Sequence, residues 1–412
     1  MKILLLTSEF LPANGGIATY VREIALAATR LGATVTVCAP DYGVPSHTDD
    51  RRLPYEIRRF SGGLHSRRDL PAKVALVRRM IGARDYDVVH AADWPFFIPL
   101  ALSRKRTRAR LVVTVHGTEI NETQAPEKRL AIWLSGVFGP RTEVTANSAY
   151  THMLFRDRFN VPAEQVRTVH LGVSDFWFGP RVARATMRAE LGLPSDGIAM
   201  ITVARLTRRK GHLTTVAALA GLPPDIRDRI TWLVIGPDGE ADYVNELKAA
   251  VAASNCDIRL LGALSSQRIR DVYGACDFFC LSGNWDPSGR VEGFGLVFLE
   301  AAAGGLPSIA TDVGGVADAV LPNETGLLVD PNAAALGVAI AEMVNDGVKR
   351  ISLGKRAATR ARSMNWERCA AGTYYLPLAR EHYSPQPIEL PGSPVFGGPD
   401  RKASTAARRL LQ

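Results

Sequence analysis

Short apolar runs alternate with helix-period segments along nearly the whole chain of 412 residues. Such alternation is typical of strand and helix units that build parallel sheets. The strand candidates are residues 3–6, 35–38, 88–90, 111–115 and 144–146 in a first group, and 198–203, 232–235, 258–261, 278–281, 308–310 and 327–329 in a second. The sequence therefore predicts an α/β protein with two doubly wound, Rossmann-like domains, whose facing carboxyl edges form a ligand cleft.

The domain boundaries follow from where the periodic patterns stop. At roughly 100 to 200 residues per domain, this length predicts two or three domains. Residues 171–197 are rich in Gly, Pro and Asp and lack sustained periodicity, which is typical of a linker. The predicted order is an N-terminal domain at 1–172, a linker at 173–197, a C-terminal domain at 198–373, a helix near 374–383 that packs back on the first domain, and a disordered basic tail at 384–412.

Cysteine usage and hydropathy exclude several classes of protein. None of the five cysteines belongs to a CxxC pair, so neither a disulfide framework nor a zinc site is predicted, and we expect reduced thiols in a cytoplasmic protein. The apolar run at the N-terminus is too short for a secretory signal. No stretch of about 18 consecutive apolar residues occurs, so no transmembrane helix is expected, although a protein lying on a membrane surface remains open.

Positive charge is concentrated in one region of the first domain. The formal net charge is +9, and residues 51–110 alone hold 15 Lys and Arg against five acids. Within that region, residues 70–81 predict a helix with an apolar face and cationic flanks. This pattern fits either a helix that lies on an anionic membrane or an ordinary packed helix with a solvated basic face. Because no recognised nucleic-acid module accompanies the charge, nucleic acid is not expected as a partner.

Two glycines, Gly15 and Gly16, open the helix that follows the first strand. At a helix N-terminus they would either let backbone amides approach an anion or form a tight turn between strand and helix. A dinucleotide-binding GxGxxG is absent here and at residues 236–239, which counts against a nicotinamide enzyme.

A cationic loop follows the first strand of the second group. Arg205 and Lys210 would converge on a diphosphate, since Arg supplies a bidentate fork and Lys a point charge. The alternative is a solvated basic loop, and that is what we expect for Arg208 and Arg209.

Glu300 lies in an almost wholly apolar helix segment, where an unpartnered carboxylate would cost several kcal/mol. We therefore expect it to have hydroxyl or cationic partners. Glu292 precedes the flexible turn at residues 293–295, which would expose backbone amides at the mouth of the same helix. Both acids are expected to face the cleft.

Together, the spacing from Glu292 to Glu300, the loop of Arg205 and Lys210, the Gly15-Gly16 pair and the turn at His116 resemble the retaining GT-B glycosyltransferases of family 4. The resemblance runs in the right order from about residue 1 to 375. It implies that Glu300 holds the nucleotide ribose and Glu292 the donor sugar. The residues implied to bind the remaining sugar, diphosphate and base groups are Phe294, Gly295, Leu296, Val297, Arg205, Lys210, Gly15, Gly16 and Leu264.

Two histidines and one pair of acids are further candidates for a part in catalysis. The resemblance implies that His116 lies beside the donor sugar, although a lone histidine that ends a strand is otherwise often structural. For His90 the structural role is preferred, with acceptor contact as the alternative. Asp85 and Asp87 have the DxD spacing of a metal site, but they precede a strand and no second acidic cluster supports them, so no metal is expected.

The family resemblance also implies the reaction. A hexose-type sugar would move from a UDP- or GDP-sugar, as substrate and without a cofactor, to a hydroxyl of a lipid-linked, saccharide or other acceptor, with retention of configuration. The charge of residues 51–110 favours an anionic acceptor reached at the inner membrane surface. Two alternatives stay open, a nucleotide-sugar epimerase of the same architecture and a binding protein that has lost catalysis.

Overall fold

The computed structural model describes residues 1–13, 15–43, 48–61, 69–117, 120, 126–286 and 288–378. The predicted tail at 384–412 lies outside the described residues. Two parallel sheets dominate the rest of the chain, as the alternating pattern predicts.

Within the described residues, the first sheet has seven parallel strands. They are β1 Lys2–Leu6, β2 Thr34–Pro40, β3 Glu56–Phe60, β4 Val88–Ala91, β5 Arg110–Val115, β6 Thr142–Ala146 and β7 Val166–Thr168. Their order is β3-β2-β1-β4-β5-β6-β7. The sequence pattern missed β3 and β7 because both are edge strands, which carry polar, partly exposed residues rather than an apolar run.

Helices cover both faces of this sheet. They are α1 Gly16–Arg30, α2 Leu70–Ala83, α3 Phe97–Ser103, α4 Pro126–Ser135 and α5 Ala149–Phe159. Ile24 of α1 packs in the core cluster of Leu5, whereas Met80 of α2 packs in that of Leu4. Because neighbouring residues of a strand point to opposite faces, α1 and α2 lie on opposite sides of the sheet.

The second sheet, as far as the structure describes the chain, has six parallel strands. They are β8 Ile198–Val203, β9 Ile230–Ile235, β10 Asp257–Gly262, β11 Phe278–Leu281, β12 Ser308–Thr311 and β13 Gly326–Val329, in the order β10-β9-β8-β11-β12-β13. The helices of this half and its flanks are α6 Arg184–Glu190, α7 His212–Ala220, α8 Pro224–Arg227, α9 Ala241–Ala253, α10 Ser266–Ala275, α11 Leu296–Ala303, α12 Val316–Ala319, α13 Ala333–Asn345, α14 Gly347–Ser363 and α15 Trp366–Tyr374. Chain order reverses beside β1 and beside β8, and ligands bind at the carboxyl ends of strands near such points.

The last helix, α15, returns to the first half. Trp366 packs against Tyr20 of α1 with ring centroids 6.0 Å apart, and the Tyr374 hydroxyl lies 2.8 Å from His90 Nδ1. The helix that returns to the first half thus ends at Tyr374, whereas the sequence analysis predicted such a helix near 374–383. Residues beyond 378 lie outside the described part of the chain.

The basic segment at 70–81 forms α2, and its apolar side faces the core. Leu76, Val77 and Met80 are buried, and the Lys73 ammonium lies 5.9 Å from the centroid of the buried Phe96 ring. Of the two interpretations of this segment, the packed helix with a solvated basic face is therefore correct. Within the described residues, no helix is long and apolar enough to cross a bilayer.

Candidate active site

The two halves meet where the carboxyl edges of their sheets face each other. A Cβ atom added to Gly293 would lie 1.9 Å from the His116 carbonyl oxygen, so a side chain at this position does not fit. The same oxygen accepts a hydrogen bond from Asn147 Nδ2 at 3.1 Å. Nearby, the Ala149 amide donates to Asp318 Oδ2 at 2.8 Å. The loops after β5 and β6 thus contact the segments around α11 and α12 directly.

A cluster of cations surrounds Glu292 in this cleft. Lys210 donates a hydrogen bond to Glu292 Oε2, and Arg209 Nη1 lies 3.7 Å from the same oxygen. Burial alone would raise the pKa of Glu292, but Lys210, Arg209 and Arg205 hold that pKa below its ordinary value. Glu292 is therefore ionised at neutral pH. Of this cluster, the sequence predicted Arg205, Lys210 and Glu292.

The two arginines expected to be solvated behave differently. Arg208 is exposed, donates to Glu246 Oε2 at 2.7 Å and lies over the Tyr243 ring, as expected. The expectation for Arg209 is wrong, because its side chain is only 21% exposed and its guanidinium lies beside the Glu292 carboxylate. The Arg209 carbonyl also accepts a hydrogen bond at 2.8 Å from the Asn284 amide, which docks this turn on the segment after β11.

Gly211 makes that docking possible. Its φ of +70° lies in the left-handed region, and an added Cβ would lie 1.7 Å from the Ser282 carbonyl oxygen. Only glycine meets both demands. The turn that carries Lys210 is therefore held tightly against the end of β11.

The N-terminus of α11 opens beside the cation cluster. Gly295 is its N-cap with φ +90°, and in the part of the chain that the structure describes no side chain caps the helix. Leu296 and Val297 form the first turn and are partly buried, while the buried Phe294 ring stacks on His170 at 6.1 Å between centroids. An uncapped N-terminus presents amide donors and a positive dipole end, which suits an anionic ligand.

Glu300 lies one turn further along α11 and meets different surroundings. Its carboxylate accepts no hydrogen bond from the residues that the structure describes, so the expected hydroxyl partner is not found within them. Burial raises the pKa of Glu300 to about 8. The positive charge of Arg22 acts to lower this pKa, and the negative charge of Glu23 acts to raise it further. Arg22 directs its hydrogen bonds to Glu23, with Nη2 2.6 Å from Oε1. The cationic neighbour of Glu300 therefore comes from α1, in the other half.

His90 lies in β4 and His116 directly follows the adjacent strand β5, but the two histidines differ in their surroundings. His116 is partly buried, and its Nε2 lies 2.9 Å from the Ala92 carbonyl oxygen. Its ring contacts Tyr20 edge-on, with centroids 4.8 Å apart. His90 is fully buried, and Thr114 Oγ1 lies 2.7 Å from its Nε2. Because burial lowers the pKa of His90 to about 3, it stays neutral, which agrees with a structural role.

Asp93 is a buried acid that the sequence-based assignment of roles left out. Its Oδ2 accepts hydrogen bonds from the Ser8 amide and hydroxyl, both at 2.7 Å, and from Thr7 Oγ1 at 3.1 Å. Among the described residues, its Oδ1 has no hydrogen-bond partner. Burial raises the pKa of Asp93, and the hydrogen bonds from Ser8 and Thr7 act to lower it. The sequence feature that could have identified Asp93 is its position just after β4, at the sheet edge that faces the cleft.

The remaining predicted positions lie at or near the two sheet edges. Gly15 is the N-cap of α1, and a Cβ added there would lie 3.3 Å from Glu9 Oε2. A Cβ added to Gly16 would meet no atom of the described residues within 4 Å beyond its chain neighbours and its own helix backbone. The open space beside Gly16 would accommodate an anion at this helix N-terminus. The close contact of Gly15 fits a tight turn between strand and helix, so both interpretations of this glycine pair stay open. Leu264 is partly buried in the turn between β10 and α10.

The DxD-like pair lies away from the cleft. Asp85 and Asp87 precede β4, and Asp87 Oδ2 accepts a hydrogen bond from the Lys2 amide at 2.6 Å, at the amino edge of the sheet. Among the described residues, no group of three or more His, Cys, Asp and Glu side chains could hold a metal ion. The five cysteines are all free thiols.

Known protein families and sequence relatives match both halves of the chain. The family model Glycosyltransferase Family 4 matches residues 14–175, and Glycosyl transferases group 1 matches residues 183–360. The GDP-mannose-dependent alpha-(1-6)-phosphatidylinositol monomannoside mannosyltransferase of Mycobacterium tuberculosis (strain CDC 1551 / Oshkosh) is 30% identical over 371 residues, which cover 86% of this chain and 91% of the relative. The D-inositol 3-phosphate glycosyltransferase of Arthrobacter sp. (strain FB24) is 29% identical, covering 87% of this chain and 89% of that protein.

Solved structures agree with the fold. Sucrose-phosphate synthase from Thermosynechococcus elongatus superposes with a TM-score of 0.74 at 26% identity, covering 91% of this chain and 98% of that one. Anabaena HepE in complex with UDP and glucose gives a TM-score of 0.70 at 21% identity, covering 90% and 98%. The chain therefore belongs to family 4 of the GT-B glycosyltransferases and is a nucleotide-sugar glycosyltransferase.

Proposed function

We propose that the protein is a cytoplasmic, retaining hexosyltransferase that acts without a metal cofactor. It transfers the sugar of a UDP- or GDP-sugar to a hydroxyl of a lipid-linked or otherwise anionic acceptor at the inner membrane surface. The observation that carries this proposal is the cation cluster of Arg205, Arg209 and Lys210 around Glu292, at the open N-terminus of α11.

The cluster suits a departing nucleoside diphosphate. Negative charge grows on the diphosphate as its bond to the sugar breaks, and fixed cations in a cleft stabilise that charge more strongly than water does. In a metal-free reaction, Arg205 and Lys210 supply what a divalent cation would supply elsewhere. Activity should therefore persist in excess chelator, and activity that vanishes there and returns with manganese would contradict this part of the proposal.

The two acids divide the donor between them in this proposal. None of the described residues donates a hydrogen bond to the carboxylate of the partly buried Glu300, which is therefore suited to accept from the two neighbouring hydroxyls of a ribose. Glu292 lies at the mouth of the helix, beside the cations and close to the Gly293 contact with His116. Hydroxyls of the transferred sugar fit between these groups, with His116 on the opposite side of the sugar.

Retention follows if the acceptor attacks from the face that the diphosphate leaves, with phosphate oxygens taking the acceptor proton. A retaining glycosidase would instead use one carboxylate as nucleophile. The Glu292 carboxylate is committed to the Lys210 ion pair, which favours electrostatic stabilisation over attack on the sugar. The anomeric configuration of the fresh product, read by NMR, tests this, and inversion would refute it.

The names of the relatives point to a first donor to test. Four relatives that are 26–30% identical are named as GDP-mannose-dependent mannosyltransferases. GDP-mannose is therefore the leading candidate within the proposed class. A thermal-shift panel of UDP, GDP, ADP and their common sugars tests it, since a ligand at 100 times its Kd stabilises the fold by about 2.7 kcal/mol. A free, isomerised sugar nucleotide formed without an acceptor would instead indicate an epimerase.

The acceptor class is proposed from charge. Residues 51–110, with 15 Lys and Arg against five acids, account for the net positive charge of the chain, and they lie in the half that receives the acceptor in this fold. Transfer assays that compare an anionic lipid-linked acceptor with a neutral soluble analogue of the same sugar acceptor test this. Preference for the neutral soluble acceptor would contradict it.

A further inference from the structure

Helix α4 presents apolar residues to solvent rather than to the core. Leu130, Trp133 and Leu134 are 55%, 75% and 68% exposed, whereas Ile132 and Ser135 form its buried side. The spacing i, i+3 and i+4 places the three exposed residues on one face. A packed helix normally turns such a stripe inward, so the outward face of α4 is suited to contact something outside the fold.

Cations border this face at the cleft end of the helix. Lys128 and Arg129 directly precede Leu130, and Arg129 is exposed. The Lys128 ammonium lies 4.5 Å from the centroid of the partly buried Trp94 ring, which follows β4. The cationic end of α4 therefore lies next to the carboxyl edge of the first sheet.

More cations border the opposite end of α4. Arg104 Nη1 donates to the Ser135 carbonyl oxygen at 2.6 Å, which holds the segment 104–106 against the end of α4. Lys105 and Arg106 in this segment are exposed. Together, residues 97–110 and 126–141 hold eight Lys and Arg against the single acid Glu127.

An apolar face between cations matches the surface of an anionic bilayer. Trp favours the head-group level, Leu inserts below it, and Lys and Arg pair with lipid phosphates. A second copy of the chain is a poorer occupant, because a two-fold contact would place the same cations opposite one another.

We infer that the outward face of α4, formed by Leu130, Trp133 and Leu134, docks the protein onto an anionic membrane surface. The inference rests on the proposed membrane-borne acceptor. It assigns the docking role to α4 rather than to α2, whose apolar side is buried. Because α4 starts on the cleft side, docking through it places the acceptor edge of the first sheet beside the lipid.

Co-sedimentation with vesicles of phosphatidylcholine and graded phosphatidylglycerol tests this surface. The test variant is Leu130→Ser with Trp133→Ser and Leu134→Ser, which changes exposed side chains only. The matched control is Val348→Ser with Ile351→Ser on α14, where the side chains are 82% and 59% exposed. The triple variant should lose roughly tenfold or more in vesicle partitioning, and the control should match the wild type. Thermal unfolding and nucleotide binding should be unchanged in both variants.

A second variant separates lipid from other partners. Lys105→Gln with Arg106→Gln and Arg129→Gln should weaken binding to anionic vesicles by roughly fivefold per cation, with a smaller salt dependence. The inference is overturned if the triple variant still binds vesicles like the wild type, or if sedimentation shows a dimer that the triple variant abolishes while vesicles never bind. Vesicle binding without sugar transfer would leave the docking surface in place and refute the proposed function instead.

Discussion

Glu292 and Glu300 lie at the two ends of one short segment, yet their surroundings act on them in opposite directions. At the mouth of α11, three cations hold the pKa of Glu292 below its ordinary value, while within the helix burial raises the pKa of Glu300 to about 8. The difference comes from which loops each acid meets. Glu292 faces the turn after β8, and Glu300 faces α1 of the other half. One acid belongs to a charge cluster and the other to a junction between the two halves.

The largest effect should come from removing the cation that anchors the first region. Lys210→Ala should lower kcat by on the order of 10²-fold or more, because Lys210 stabilises charge that grows as the diphosphate departs. Steady-state kinetics measures this. Arg208→Ala is the matched control, since Arg208 is exposed and paired with Glu246, and it should keep near wild-type turnover. Equal losses in both variants would mean that the cluster has no special role.

Removing the acid of the same region should act on turnover and not on the nucleotide. Glu292→Ala should lower kcat by roughly tenfold to a hundredfold, with nucleotide affinity largely kept, because Glu292 is assigned to the transferred sugar. Because Glu292→Ala leaves Lys210 without its partner, Glu292→Gln is measured beside it as the less disruptive variant. Titration calorimetry with the free nucleotide gives the second quantity. A loss of nucleotide affinity equal to the loss of turnover would erase the distinction between the two acids.

The corresponding change in the second region should act on nucleotide binding. Glu300→Ala should weaken nucleotide affinity by on the order of tenfold, because two hydrogen bonds to ribose hydroxyls are lost. The comparison ligand is the 2′,3′-dideoxynucleotide, which should bind wild type and variant equally. If the variant binds the full nucleotide as tightly as the wild type does, the ribose assignment of Glu300 fails.

The raised pKa of Glu300 predicts a pH dependence in that region. If the ionised carboxylate accepts the ribose hydroxyls, nucleotide affinity rises with pH and levels off above about pH 8, where the free protein has already lost the proton. Below that pH, the slope approaches tenfold per unit. Glu300→Gln should bind with only the dependence of the phosphates themselves. Parallel curves for the two proteins would show that Glu300 does not titrate on binding.

The smallest effect concerns the junction between the halves. Nucleotide should shift the population in solution towards the closed arrangement, lowering the radius of gyration by about an ångström. Gly293→Ala should block this compaction, because its Cβ would collide with the His116 carbonyl oxygen. Small-angle scattering with and without saturating nucleotide compares the two proteins. Compaction of equal size in both would indicate that closure does not bring Gly293 against His116.

Much of the fold could be predicted because central parallel strands are buried on both faces and read as continuous apolar runs. Strands β8 and β11 begin and end where the sequence pattern placed them. Edge strands β3 and β7 carry no such run, and the apolar side of α2 could be assigned to core or membrane only after packing.

The sequence by itself determined the features that depend on near neighbours along the chain. The glycine at the start of α11, the acid before it and the basic turn after β8 are local patterns, because helix N-termini and tight turns involve only a few consecutive residues. The tertiary structure decided which distant groups share an environment. Arg209 beside Glu292, Arg22 near Glu300 and the outward face of α4 depend on how segments far apart in the chain pack. Burial and electrostatic interaction act through space, so no local pattern specifies them.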